Sequence, residues 1–136
     1  MTANILVTYA TRYGSTQEVA EAVAAELRTL GLAVEIQPMR NVKTLHGYQQ
    51  IVLGAPIYIG RLAKDARRFL TQHQDALQTR PVALFALGPT TLKEEDWRNV
   101  RTQFEQILAH LSWLKPVSAL LAWRLRATQL GNGEAL

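Results

Sequence analysis

The chain has 136 residues, 48% hydrophobic and 19% charged, a balance that suits a single compact domain over residues 1–136 and excludes a disordered or low-complexity polypeptide. It contains no cysteine, so disulfides, thiolate nucleophiles, iron–sulfur clusters and cysteine-ligated zinc are excluded together. Fifteen Lys and Arg against eleven Asp and Glu give a formal net charge of +4, which favours an anionic small molecule or an acidic membrane surface; the spread arginines lack interleaved aromatics, so nucleic acid is not expected.

The opening Met1-Thr2-Ala3-Asn4 has no basic segment followed by an apolar run, and no apolar stretch approaches the length of a membrane span. A cytoplasmic protein is therefore expected, with peripheral membrane contact open to it.

Ile5-Leu6-Val7-Thr8-Tyr9 reads as a strand that breaks into Ala10-Thr11-Arg12-Tyr13-Gly14-Ser15-Thr16 and restarts as a helix. A helix N-terminus offers backbone N–H groups and the positive end of the helix dipole, so such a turn holds a phosphate without any lysine. Thr11, Ser15 and Thr16 add hydroxyl donors, Arg12 and Tyr13 lie in the same turn, and Gly14 can take a backbone geometry closed to other residues. The turn has neither the Lys-Ser/Thr of a nucleoside-triphosphate loop nor the three glycines of a dinucleotide fingerprint, so it suits a phosphate monoester. A purely local reading competes, because Ser15-x-x-Glu18 is also a capping box.

Val19, Ala20, Val23, Ala24, Leu27 and Leu30 recur at helical spacing, and Gly31 stands where a left-handed C-cap belongs. Ala33-Val34-Glu35-Ile36-Gln37 alternates in polarity and stops at Pro38, as a strand near a sheet edge does. Residues 39–49 leave room for a helical turn or two. Ile51-Val52-Leu53-Gly54-Ala55 is a doubly covered strand ending at Pro56, and Pro56-Ile57-Tyr58-Ile59-Gly60-Arg61 reads as an unusually apolar loop that packs down or covers a ligand.

From Leu62 the helical period returns, with Leu62, Ala66, Phe69, Leu70 and Leu77 on one face and Arg61, Lys64, Asp65 and Arg68 on the other. His73 falls on the apolar side and reads as a core-margin residue. Residues 81–87 are a further buried strand, Gly88-Pro89-Thr90-Thr91 its exit loop. Glu94, Glu95 and Asp96 open a helix whose inner stripe is Trp97, Val100, Phe104, Ile107, Leu108 and Leu111. His46 and His110 lack partners at metal-ligand spacing, so no metal site is expected. Residues 116–122 read as a fifth strand, and Gly131 and Gly133 interrupt the stretch after it, so the last helix is expected to be shortened or missing.

Strands alternating with helices predict a three-layer α/β sandwich with a five-stranded parallel sheet, its ligand beyond the carboxyl ends of the strands. Residues 10–16, 56–61 and 88–91 are the loops there. Without a full last helix, Val7, Val52, Leu53 and Leu84 are expected to form an uncovered apolar face through which the chain self-associates, with Trp123 and Leu125 near the contact.

The turn of residues 10–16 resembles the flavodoxin phosphate loop, Thr-x-x-Gly-x-Thr, and the layout extends the resemblance over residues 4–122. It implies a flavodoxin-like fold of strand order 2-1-3-4-5 that binds FMN, with the phosphate on Thr11, Gly14, Ser15 and Thr16. The isoalloxazine would then lie between Pro56, Ile57, Tyr58, Ile59 and Gly60 on one side and Gly88, Pro89 and Thr90 on the other. Together with Gly54-Ala55-Pro56-Ile57-Tyr58-Ile59-Gly60, the turn is similar to the branch containing menaquinone-dependent protoporphyrinogen dehydrogenase. This implies an FMN-dependent oxidoreductase or electron-transfer protein acting with a redox partner or an anionic substrate such as a tetrapyrrole.

Arg61, Lys64 and Arg68 are the candidate substrate anchor, or simply a solvated helix face. No acid–base residue of the chain is assigned to catalysis, since the protein's task would be to bind and tune the flavin. The alternative is a flavin-free interaction or regulatory module on the same fold.

Overall fold

A computed structural model describes residues 4–10, 14–58, 61–87 and 94–114. In chain order these form β1 (Ile5–Tyr9), α1 (Ser15–Thr29), β2 (Val34–Pro38), a 3-10 turn (Met39–Asn41), β3 (Gln50–Tyr58), β4 (Arg61–Leu62), α2 (Lys64–Gln72), α3 (Gln74–Gln78), β5 (Val82–Leu87) and α4 (Glu94–His110).

The parallel sheet runs β2-β1-β3-β5, with Leu6 opposite Ile51 and Ile51 opposite Val82. These are the first four places of the expected 2-1-3-4-5 order, since β5 is the fourth strand read from the sequence. Residues 116–122, Trp123 and Leu125 lie outside the described residues.

Alternation along the strands divides the apolar side chains between two faces. Ile5, Val7, Tyr9, Phe85 and Leu87 pack with Val19, Ala20 and Ala24 of α1. Leu6, Ile51, Leu53, Val82 and Leu84 pack on the other face with Phe69 and Leu70 of α2, Leu77 of α3 and Phe104 of α4.

This pattern corrects the expected uncovered face. Val52 and Leu53 are consecutive strand residues and so point to opposite faces; Val7 and Leu53 are 0% exposed and Leu84 1%. The four residues therefore do not make one patch.

Helix α1 ends in a Schellman motif: Gly31, at φ 86°, donates its N–H to the Arg28 carbonyl at 3.0 Å, and Leu32 donates to Leu27 at 3.3 Å. Leu30, the last of the apolar residues at helical spacing, is the C-cap and is 70% exposed, because the chain is already turning away from the sheet there. Between β2 and β3 no α-helix forms, and Met39, Val42 and Leu45 enter the second core directly from the 3-10 turn and the chain after it.

The helical stretch after residue 62 also differs from a single helix. Leu62 is still in a strand, and the helix breaks at His73, which caps both α2 and α3.

Candidate functional site

The carboxyl ends of β1, β3 and β5 deliver the chain to the same edge of the sheet as the start of α1. At that start Gly14 is the N-cap, at φ 91° and ψ −16°, a left-handed conformation that costs other L-residues about 1–2 kcal/mol. A Cβ built there would meet nothing within 4 Å, so the backbone angle, not crowding, selects glycine.

Ser15 is the first helical residue and not the cap, and no side-chain hydrogen bond caps this helix. The capping-box reading is thereby corrected, because a box needs the hydroxyl one position earlier. The first intrahelical bond runs from the Glu18 N–H to the Gly14 carbonyl at 3.1 Å, which leaves the amides of residues 15–17 ahead of the helix's own ladder. Thr16 is 2% exposed and thus forms part of the floor beneath this turn as well as a hydroxyl candidate. Thr11, Arg12 and Tyr13 lie outside the described residues.

The apolar stretch after Ala55 is not a loop at its beginning. Pro56 pairs with Leu87 in β5, while Ile57 pairs with Leu62 and Tyr58 with Arg61 in a short antiparallel hairpin. Proline is tolerated at this strand end because only its donor is missing; its carbonyl accepts the Ala63 N–H at 3.1 Å. Ile59, Gly60, Gly88, Pro89 and Thr90 lie outside the described residues.

Below this edge the sheet carries a close packing that the sequence reading passed over. Gly54 lies between Tyr9 and Phe85, and a Cβ on it would fall 2.1 Å from the Phe85 Cζ. The Phe85 ring fills the space above the glycine, and the Gly54 carbonyl accepts the Ala10 N–H at 2.9 Å, carrying the ladder up to the turn. The signal was a glycine within an otherwise apolar strand, which marks close approach.

Arg61, Lys64 and Arg68 do not share one helix face. Arg61 belongs to β4, and it is Arg67, not assigned from the sequence, that lies with it along one groove. Arg68 lines a separate hollow with Arg40, Lys43 and Asp65.

His73 is buried, its ring 4.5 Å from that of Phe69, and burial lowers its pKa against a hydrogen bond with the Val42 backbone that raises it. Its place inside the core margin agrees with the structural role read from the sequence. No helix of the described residues is long and apolar enough to cross a membrane.

The chemistry open to this edge is set by its donors. A glycine cap with open space before it, first-turn amides and a buried threonine at the positive end of a helix suit a phosphate monoester, and three converging strand ends suit a flat ring beside it.

Comparison with known proteins bears on the same region. A family model described as "Flavodoxin domain" matches residues 6–133. Protoporphyrinogen IX dehydrogenase [quinone] of Escherichia coli K12 is 25% identical over 124 residues, covering 89% of this chain and 68% of that protein. Among solved structures, oxidised Flavodoxin 2 from Bacillus cereus has a TM-score of 0.64 at 25% identity, covering 96% of this chain and 94% of that one. A point mutant of flavodoxin from Pseudomonas aeruginosa has a TM-score of 0.62 at 16% identity, with 96% of each chain covered.

Proposed function

The chain belongs to the flavodoxin-domain family and binds FMN, and from that premise we propose that it is a redox protein whose phosphate site is the start of α1. The observation that carries this reading is the left-handed Gly14 cap, which opens a helix whose first amides precede its own hydrogen-bond ladder and can donate to an anion.

In this reading Thr11, Gly14, Ser15 and Thr16 bind the phosphate, with Arg12 and Tyr13 flanking it. Pro56, Ile57, Tyr58, Ile59 and Gly60 cover one side of the ring, and Gly88, Pro89 and Thr90 the other. Tyr58 stacks on the isoalloxazine, and Gly60 lets the neighbouring backbone reorient towards it. Bound FMN supplies the electron-transfer chemistry; the chain's residues hold the phosphate, orient the ring and exclude water from its faces.

The more specific form of the proposal is a dehydrogenase that passes electrons from a carboxylate-bearing tetrapyrrole to a quinone. It is supported by the similarity to the E. coli enzyme and by the chain's positive charge.

Titration of the apoprotein with FMN and with riboflavin tests the site. FMN should bind far more tightly, and Ser15→Ala and Thr16→Ala should each weaken it by about 1.5–3 kcal/mol, the value of a hydrogen bond to a charged group. Equal affinity for riboflavin and FMN would remove the phosphate site from the proposal. Oxidation of protoporphyrinogen by the FMN-loaded protein, followed with a quinone acceptor, tests the finer reading independently.

A further inference from the structure

A groove of about 590 Å³ runs between α2 and the C-terminal part of α4. Its apolar wall includes Leu70 from α2, Ile107 from α4 and Trp113 just beyond, and Thr71 and Gln74 add neutral polar groups. Its charged or titratable groups are Arg61, Arg67 and His110, and none of the described residues lining it carries a carboxylate.

Arg67 is held in place. Its Nε donates to the Leu62 carbonyl at 3.2 Å, a partly buried bond that ties the guanidinium to the backbone of β4. The other N–H groups of its guanidinium have no partner among the described residues, and Arg61 forms neither an ion pair nor a side-chain hydrogen bond among them. Among the described residues neither arginine has a counter-charge, and beside a wall of Leu, Ile and Trp the pair forms an incomplete electrostatic arrangement. An anion completes it.

We infer that this groove is a second binding site, for a small molecule with a flat apolar body and a carboxylate. The guanidinium fork matches the two oxygens of a carboxylate, and its weak hydration lets it act next to apolar surface. The apolar body covers Trp113 and Ile107, which are only partly buried in the protein alone. A compact, strongly hydrated phosphate would gain nothing from these walls. The carboxylate is therefore the better match. Except for Arg61, which closes the β3–β4 hairpin, no residue of the groove belongs to the proposed flavin loops.

The test uses pyrenebutyrate and its uncharged counterpart pyrenebutanol, titrated by fluorescence into FMN-saturated protein. Pyrenebutyrate should bind saturably, at one site, and about tenfold or more tightly than the alcohol, the scale of a charge-assisted hydrogen bond. Arg61→Gln and Arg67→Gln should each remove most of that preference, and Thr71→Trp, which fills the groove from an exposed helical position, should abolish binding of both probes. Arg98→Gln, on the exposed side of α4, should change nothing. Arg61 and Thr71 are exposed, so their variants keep the test intact if loss of the Arg67 bond to β4 impairs folding. Equal affinity for acid and alcohol, displacement of the probe by added FMN, or indifference to Arg61→Gln would each overturn the inference.

Discussion

Replacing Gly54 by alanine adds one methyl group where the Phe85 ring already lies. The built Cβ is 2.1 Å from Cζ and 2.6 Å from both Cε atoms, whereas carbon atoms rest about 3.5–4.0 Å apart, so the ring must retreat by roughly 1.5 Å. It has little freedom to do so. Phe85 is 4% exposed and shares its cluster with Val19, Ala20 and Ala24, and the backbone of Gly54 is held by strands on both sides. Overpacking of this kind costs about 1–3 kcal/mol. Urea denaturation of the apoprotein should show Gly54→Ala destabilised by that amount with an unchanged m-value. Phe85→Leu should be destabilising in the parent but much less so on the Gly54→Ala background, because the shorter side chain vacates the contested space; the double-mutant cycle then shows a coupling of about 1 kcal/mol or more. A Gly54→Ala variant within about 0.5 kcal/mol of the parent, or additive effects of the two substitutions, would refute the close-packing argument.

Gly14→Ala should cost about 1–2 kcal/mol through its φ of 91° and should weaken FMN in the same titration that leaves Leu30→Ala, exposed at the far end of α1, unchanged. Burial holds His73 below its ordinary value of 6.5, so the unfolded chain binds a proton that the native chain resists. Its contribution is complete above about pH 6.5 and is lost as the pH falls from there towards the folded-state value; denaturation midpoints between about pH 7.5 and pH 5 should therefore fall more steeply in the parent than in His73→Gln. Arg80→Met should destabilise by about 1–2 kcal/mol in thermal or urea unfolding, since the guanidinium donates to the Tyr48 carbonyl at 2.7 Å and to Ala76 at 2.6 Å.

The sheet was legible because its strands carry their pattern locally. Leu6, Ile51 and Val82 lie in apolar runs too short for helices and end up side by side. The turn at Gly14 was legible for a similar reason, as a break in pattern with hydroxyl residues around it. The misreadings arose where neighbours distant in sequence decide the outcome. Pro56 looked like the end of β3, yet pairing with Leu87 carries the strand on and the Ile57–Leu62 hairpin extends it. Arg68 shares a helical face with Lys64 on paper, but β4 carries Arg61 towards Arg67 instead. The Gly54–Phe85 contact joins two strands, and no local periodicity encodes it.

The chain that links β2 to β3 has a bearing on how the protein opens. Three core side chains, Met39, Val42 and Leu45, enter from a segment whose internal backbone bonds are isolated, Val42 to Met39 at 3.1 Å and Tyr48 to Leu45 at 3.2 Å, in place of a continuous helical ladder, and which is tied to its surroundings at single points such as Arg80 on the Tyr48 carbonyl. Each can break without disturbing the next, so the segment should detach as a unit while the parallel strands stay paired. Native-state hydrogen exchange should find the amides of Val42 and Tyr48 far less protected than those of Leu6 or Leu53, and a protease should nick this connection first. The cooperative unit of unfolding is then smaller than the domain, with one wall of its larger core secured from outside by a removable plug.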